Sequence, residues 1–106
     1  MARDLLFEVT SVLGKRIRVT YTYWEKIVRD KHPRMKGKEL AVQESLNKAD
    51  QVRRSKSDPH VFLYYKKSGK RYVCVVARHL DGEGFVITTY LADNIKEGEI
   101  VWTKLR

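Results

Sequence analysis

The chain predicts an α+β fold, with two N-terminal helices packed on an antiparallel sheet of about four strands, preceded by a short β-hairpin. Three observations predict it. Apolar residues recur at helical spacing only between Thr22 and Ala49. After Asp50 the period shortens toward that of a strand. Turn signals at Asp58-Pro59, Lys67-Ser68-Gly69-Lys70 and Asp81-Gly82-Glu83-Gly84 then cut the remainder into strand-sized pieces. Helices segregated from an antiparallel meander make an α+β domain.

Leu5-Leu6-Phe7-Glu8-Val9-Thr10 reads as a strand, Gly14-Lys15 as a turn, and Ile17-Arg18-Val19-Thr20 as a second strand. Thr22-Tyr23-Trp24-Glu25 has the form of a capping box, which opens a helix over roughly 23–31. Trp24, Ile27 and Val28 supply its buried face, and Pro33 disfavours helical geometry at His32 and stops it. Met35-Lys36-Gly37 connects to a second helix over roughly 38–49, where Val42, Leu46 and Ala49 share a face. Val52-Arg53-Arg54-Ser55 is a short strand candidate, and Val61–Tyr65 alternates. Arg71–Arg78 is apolar on both faces and reads as the central strand. Phe85–Tyr90 comes next, and Ile100-Val101-Trp102 is a last short strand.

With 106 residues, the chain suits one domain with one core, residues 1–106. Lys and Arg number 22 against 13 Asp and Glu, a net charge of +9. Residues 15–40 hold nine basic side chains and residues 53–71 hold seven. If these segments meet in space they suit a polyanion, RNA or DNA first and an anionic membrane surface second. Lys31, Arg34, Lys36, Lys66, Lys67, Lys70 and Arg71 are the candidates for phosphate contact. The single cysteine, Cys74, rules out an internal disulfide and lies in an apolar run, as a buried, inert thiol would. The opening Met1-Ala2-Arg3-Asp4 lacks the apolar stretch of a signal peptide or membrane span, so a reducing cytoplasm is the expected compartment.

Metal-free RNA cleavage needs a base for the ribose 2′-OH, an acid for the leaving 5′ oxygen, and donors for the charge on the phosphate. His32, at a helix end among cations, is the acid or base candidate, because histidine ordinarily titrates near neutrality. Strand alternation sends Arg53 and Arg54 to opposite faces, so one of them faces the cleft. Thr88 and Tyr90 sit two apart and share a face, although both types are common in strands anyway. His60 and His79 fall in a loop and at a strand end and are weaker candidates. Tyr64, Tyr65 and Tyr72 are candidate stacking surfaces for bases. There is no Gly-rich phosphate loop and no His or Cys spacing for zinc, so no cofactor or metal is expected. Asp58, Asp81 and Glu83 form no compact motif for Mg²⁺.

The run Gly14-Lys15-x-Ile17-Arg18-Val19-Thr20, then Trp24, His32-Pro33 and Met35, then a strand with Arg, then Thr88-x-Tyr90, resembles the barnase–EndoU–colicin–RelE-like nuclease superfamily. The likeness is strongest to its branch from phage and mobile-element proteins and spans residues 9–103. The resemblance implies helices on a four-stranded antiparallel sheet and a metal-independent endoribonuclease, in many relatives a toxin. By position it matches His32 to the histidine after the first helix, Arg53 or Arg54 to a core-strand arginine, and Thr88 and Tyr90 to a late polar pair. RNA is the expected partner, together with an acidic antitoxin or immunity protein. Some relatives bind RNA without cleaving it, so a non-catalytic RNA- or DNA-binding module, or a toxin–antitoxin interaction protein with a basic face, is the alternative.

Overall fold

The computed structural model describes residues 4–105. Met1–Arg3, part of the opening read for a leader, and Arg106 lie outside the described residues. Strands β1 (Leu5–Thr10) and β2 (Arg16–Thr20) precede helix α1 (Tyr21–Lys26). A wider π-helical turn (Ile27–Lys31) and a 3-10 turn (Pro33–Met35) lead to α2 (Glu39–Asn47). Then come β3 (Gln51–Arg54), β4 (Val61–Ser68), β5 (Arg71–His79), β6 (Glu83–Ala92) and β7 (Glu99–Thr103).

The fold is α+β, but the sheet differs from the expectation. It has seven strands rather than about four, in the order β1-β2-β6-β5-β4-β3-β7. The hairpin is one flank of that sheet, and the helices are inserted between β2 and β3 rather than being N-terminal. The sheet is also mixed, because β2 runs parallel to the start of β6, with Arg16–Arg18 against Glu83–Phe85. The cause is burial. Phe7, Ile17 and Val19 belong to the same core as Val42, Leu46, Val73 and Val75, so the hairpin cannot stand apart from it. A parallel pair needs a long connection, and everything from α1 to β5 serves as one.

The two faces of the sheet differ. Helix α2 packs across β1, β4 and β5. That face buries the main core, to which Trp24, Ile27, Met35, Val52, Tyr64, Ala77 and Val86 contribute. The opposite face carries a smaller cluster of Leu63, Tyr65 and Cys74 with Tyr72, Val76, Tyr90 and Ile95. Strand β5 supplies both clusters, which explains its apolar reading on both sides.

Helix α1 begins two residues earlier than its capping box suggested. Thr20 is the N-cap, extended at φ −89° and ψ 160°, and its Oγ1 accepts from the Tyr23 amide at 3.1 Å. Thr22 instead donates its hydroxyl to Asp4. Strand β2 runs straight into the helix, so the cap falls on the last strand residue. The helix then widens: the His32 amide donates to Ile27 O at 2.8 Å, five residues back. Such turns are frequent at functional sites. His32 leaves the helical region at φ −136° and ψ 73°, as a residue before proline should.

Two irregularities shape the sheet beside that turn. Gly84 faces His79 across the β5–β6 pair. A Cβ there would collide with the Arg78 carbonyl oxygen and lie 2.9 Å from Ile17 Cδ1. The close approach of β2, β6 and β5 therefore needs glycine. Ile87 is an extra residue in β6, since Val76 faces Thr88 while the next residue, Ala77, faces Val86.

Candidate active site

Facing residues on neighbouring strands share a sheet face, so the register assigns each side chain. Thr88 faces Val76 and Tyr90 faces Cys74. Both polar residues therefore lie on the face away from α2, beside the smaller cluster. Arg53 faces Leu63 on the same side. Arg54 faces Phe62, which packs with the main core, so Arg54 points to the helix side and pairs with Glu99 at 3.5 Å. Of the two arginines, Arg53 shares the face of Thr88 and Tyr90.

The turn after α1 brings His32 to this face. Its ring lies 5.7 Å from that of Tyr90, centroid to centroid. A cleft of about 390 Å³ opens there, with Val61, Leu63 and Val76 as an apolar floor. His32, Ser55, Thr88, Tyr90 and Glu97 supply its polar groups. Residues far apart in the chain thus converge: His32, Thr88 and Tyr90 line one cavity. Thr88 Oγ1 is buried yet has no hydrogen-bond partner among the described residues. An unmade bond of this kind costs about 1–3 kcal/mol, which a ligand oxygen would recover.

Burial lifts the Tyr90 hydroxyl well above its ordinary range, with the Cys74 thiol adding to the shift. Tyr90 therefore stays protonated at neutral pH and has a hydroxyl proton to donate. Burial likewise pushes the Cys74 thiol up to about 12, so it is no nucleophile.

Arg53 does not line the cleft. It lies in the same rank as Thr88 but three strands away, about 14 Å at ordinary sheet spacing. Its Nε donates to Gln51 Oε1 at 2.7 Å and its Nη1 to Gly98 O at 3.5 Å. It braces the segment that carries Glu97. Gly98 has φ +82°, and a Cβ there would meet Arg54 O at 2.5 Å, so only glycine suits this turn. Sequence reasoning does not single out Glu97 or Ser55. The one available signal is Glu97-Gly98, a carboxylate beside a turn glycine within residues 81–99, where five carboxylates stand against one lysine.

The cations scatter more than their sequence clustering suggested. Lys31, Arg34 and Lys36 are exposed around His32. Lys66 faces Val73, on the helix side, and lies 4.0 Å from Asp50. Lys67 and Lys70 are exposed in the β4–β5 hairpin, Lys67 with its ammonium 5.0 Å from the Tyr72 ring centroid. Arg71 pairs with Asp93 at 3.2 Å. The hairpin tip lies roughly 14 Å along the strands from the Tyr90–Cys74 pair. Tyr64 and Tyr65 are buried and offer no face to a base.

The other histidines lie elsewhere. His60 is exposed, its amide bonded to Asp58 at 2.9 Å. His79 is buried, stacked on Phe62 with centroids 3.9 Å apart. Its Nε2–H donates to the Tyr64 hydroxyl at 2.8 Å, which donates to Ser11 Oγ at 2.9 Å. Ser11 Oγ in turn accepts from the Leu13 and Lys15 amides, so the chain ties β5 to the β1–β2 turn.

Burial, helped by the Lys15 charge, lowers His79 from 6.5 to about 4. Below about pH 6.5 the unfolded chain takes up a proton that the folded chain excludes. This stability is present above that pH and is lost as pH falls toward about 4, by at most about 1.4 kcal/mol per pH unit. Denaturant unfolding at pH 7 and pH 5 checks it. His79→Phe, which keeps the stacking, should flatten the pH dependence, and an unchanged slope would rule His79 out as its source.

Among the described residues, no three His, Cys, Asp or Glu side chains gather as a metal site would require, and no helix is long and apolar enough to cross a membrane. No known protein family, curated protein or solved structure matches the chain.

Proposed function

We propose that the protein is a metal-independent endoribonuclease of the barnase–EndoU–colicin–RelE-like kind, acting in the cytoplasm. The observation that carries this reading is the meeting of His32, Thr88 and Tyr90 in one cleft on the open sheet face, with the Thr88 hydroxyl buried and unpartnered among the described residues. Two of the cleft's polar side chains are of the types that carry protons in general acid–base chemistry, the His32 imidazole and the Glu97 carboxylate. The Glu97 carboxylate takes the proton from the ribose 2′-OH. That oxygen attacks phosphorus, and the bond from phosphorus to the 5′ oxygen breaks. His32, as imidazolium, gives its proton to the leaving oxygen. Thr88 and Tyr90 donate to the phosphate oxygens as their charge rises. The products are a 2′,3′-cyclic phosphate and a free 5′-hydroxyl. Arg53 holds the Glu97 segment in place. A toxin role, with an acidic protein covering the basic surface around His32, is the biological setting this reading suggests.

The test is incubation of the purified protein with mixed RNAs in EDTA, followed by end analysis. Cleavage with 2′,3′-cyclic phosphate ends is the expected result. RNA left intact by a folded protein sinks the nuclease reading. Salt-dependent retention of that RNA in a gel shift would then favour a binding module.

A further inference from the structure

We propose that the open sheet face beside the cleft carries a binding subsite for single-stranded RNA, built from Phe85 between Arg18 and Arg78. The choice of RNA rests on the reading of the cleft as a ribonuclease site. Arg18 on β2 faces Phe85 on β6, and Phe85 faces Arg78 on β5. Three adjacent strands thus present Arg, Phe and Arg in one rank, each about 4.8 Å from the next. The bulge at Ile87 decides which face they occupy. By simple alternation Phe85 and Thr88, three apart, would point to opposite faces. The extra residue brings both to the face of Val76 and Arg78.

The rank is continuous with the cleft. Arg78 also faces Val61, part of the cleft floor, and Val61 O accepts from the amide of Ser55, another cleft residue. Among the described residues the cleft lining contains neither Lys nor Arg, so charge for the flanking phosphates must come from its surroundings. Arg18 and Arg78 supply it, each with its side chain 38% exposed. Each is held at one nitrogen by a carboxylate, Arg18 by Glu83 and Arg78 by Asp58 at 3.0 Å. The remaining guanidinium N–H groups are left for phosphate oxygens.

Phe85 is half-buried, and an apolar pocket of about 300 Å³ opens next to it between β2 and β6. An aromatic ring flanked by guanidinium groups is what an unpaired base and its two phosphates require. In a duplex the base faces are already stacked.

The experiment measures binding, not cleavage. The probe is a short, fluorescein-labelled single strand of 2′-O-methyl RNA, which cannot undergo 2′-OH attack, read by anisotropy in EDTA. Phe85→Leu keeps apolar volume but loses the stacking face, and it should weaken binding roughly tenfold. Arg78→Gln should weaken binding and reduce the salt slope by about one. Leu40→Ala, exposed on α2, should bind like wild type. Thermal melts establish that each variant is folded.

Unchanged binding by folded Phe85→Leu and Arg78→Gln overturns the subsite, even if wild type cleaves RNA. Absence of binding by wild type overturns it as well. Equal affinity for the matching duplex, equally sensitive to Phe85→Leu, overturns the single-strand assignment. Weakened binding in both variants supports the subsite even where RNA is left uncleaved, in which case the nuclease reading alone fails.

Discussion

His32→Ala should lower RNA cleavage in EDTA by about 10²- to 10⁴-fold, the usual contribution of one positioned acid or base. The side chain is only half-buried and its ring meets Tyr90 at 5.7 Å, so little packing is lost. Thermal stability should change by no more than ~0.5 kcal/mol. That separation of activity from stability is what makes the substitution informative. If the purified variant cleaves at the wild-type rate, the cleft has been assigned wrongly. If it loses activity and melts much earlier, His32 is a structural residue.

Leu46→Ala should destabilise the fold by about 2–5 kcal/mol, the range for removing a buried leucine whose surroundings cannot collapse. Leu46 is 0% exposed at the end of α2, in the core shared by the hairpin, the helices and the sheet. Its carbonyl also accepts from the Val12 amide at 3.0 Å, so α2 is tied to the β1–β2 turn at this residue. Neighbouring strands would have to move together to fill the void. For a chain of this size the melting temperature should fall by ~10 °C or more. Leu40→Ala, on the same helix but 73% exposed, should change stability by less than ~0.5 kcal/mol. A Leu46→Ala protein that melts with wild type would show that α2 contributes little to the core.

Which residues reach the cleft is partly legible in the chain. Thr88 and Tyr90 share one face as strand alternation requires, because they lie on the same side of the bulge. His32 is marked by Pro33, and its geometry obeys the local rule for residues before proline. Arg53 and Arg54 cannot be told apart from sequence, since the choice depends on which face of β3 meets the helices. Val52, buried in the main core, makes that choice. Glu97 and Ser55 belong to connections whose position depends on β3, β4 and β7 pairing across long stretches of chain. No periodicity marks such residues.

Local chemistry in the sequence determined the α+β class, the helical stretch before Asp50, the strands after it, the turns at glycine and proline, and the inert buried cysteine. Each of these depends on near neighbours, through dihedral preference or the alternation of apolar side chains. Tertiary structure alone decided that the hairpin joins the sheet, that β2 lies parallel to β6, and that the bulge at Ile87 turns Phe85 to the face of Thr88. It also dispersed the basic residues, taking Lys66 to the helix side and leaving Arg18 and Arg78 beside the cleft. Strand register depends on contacts between residues far apart in the chain, and a single inserted residue reverses which face a side chain occupies.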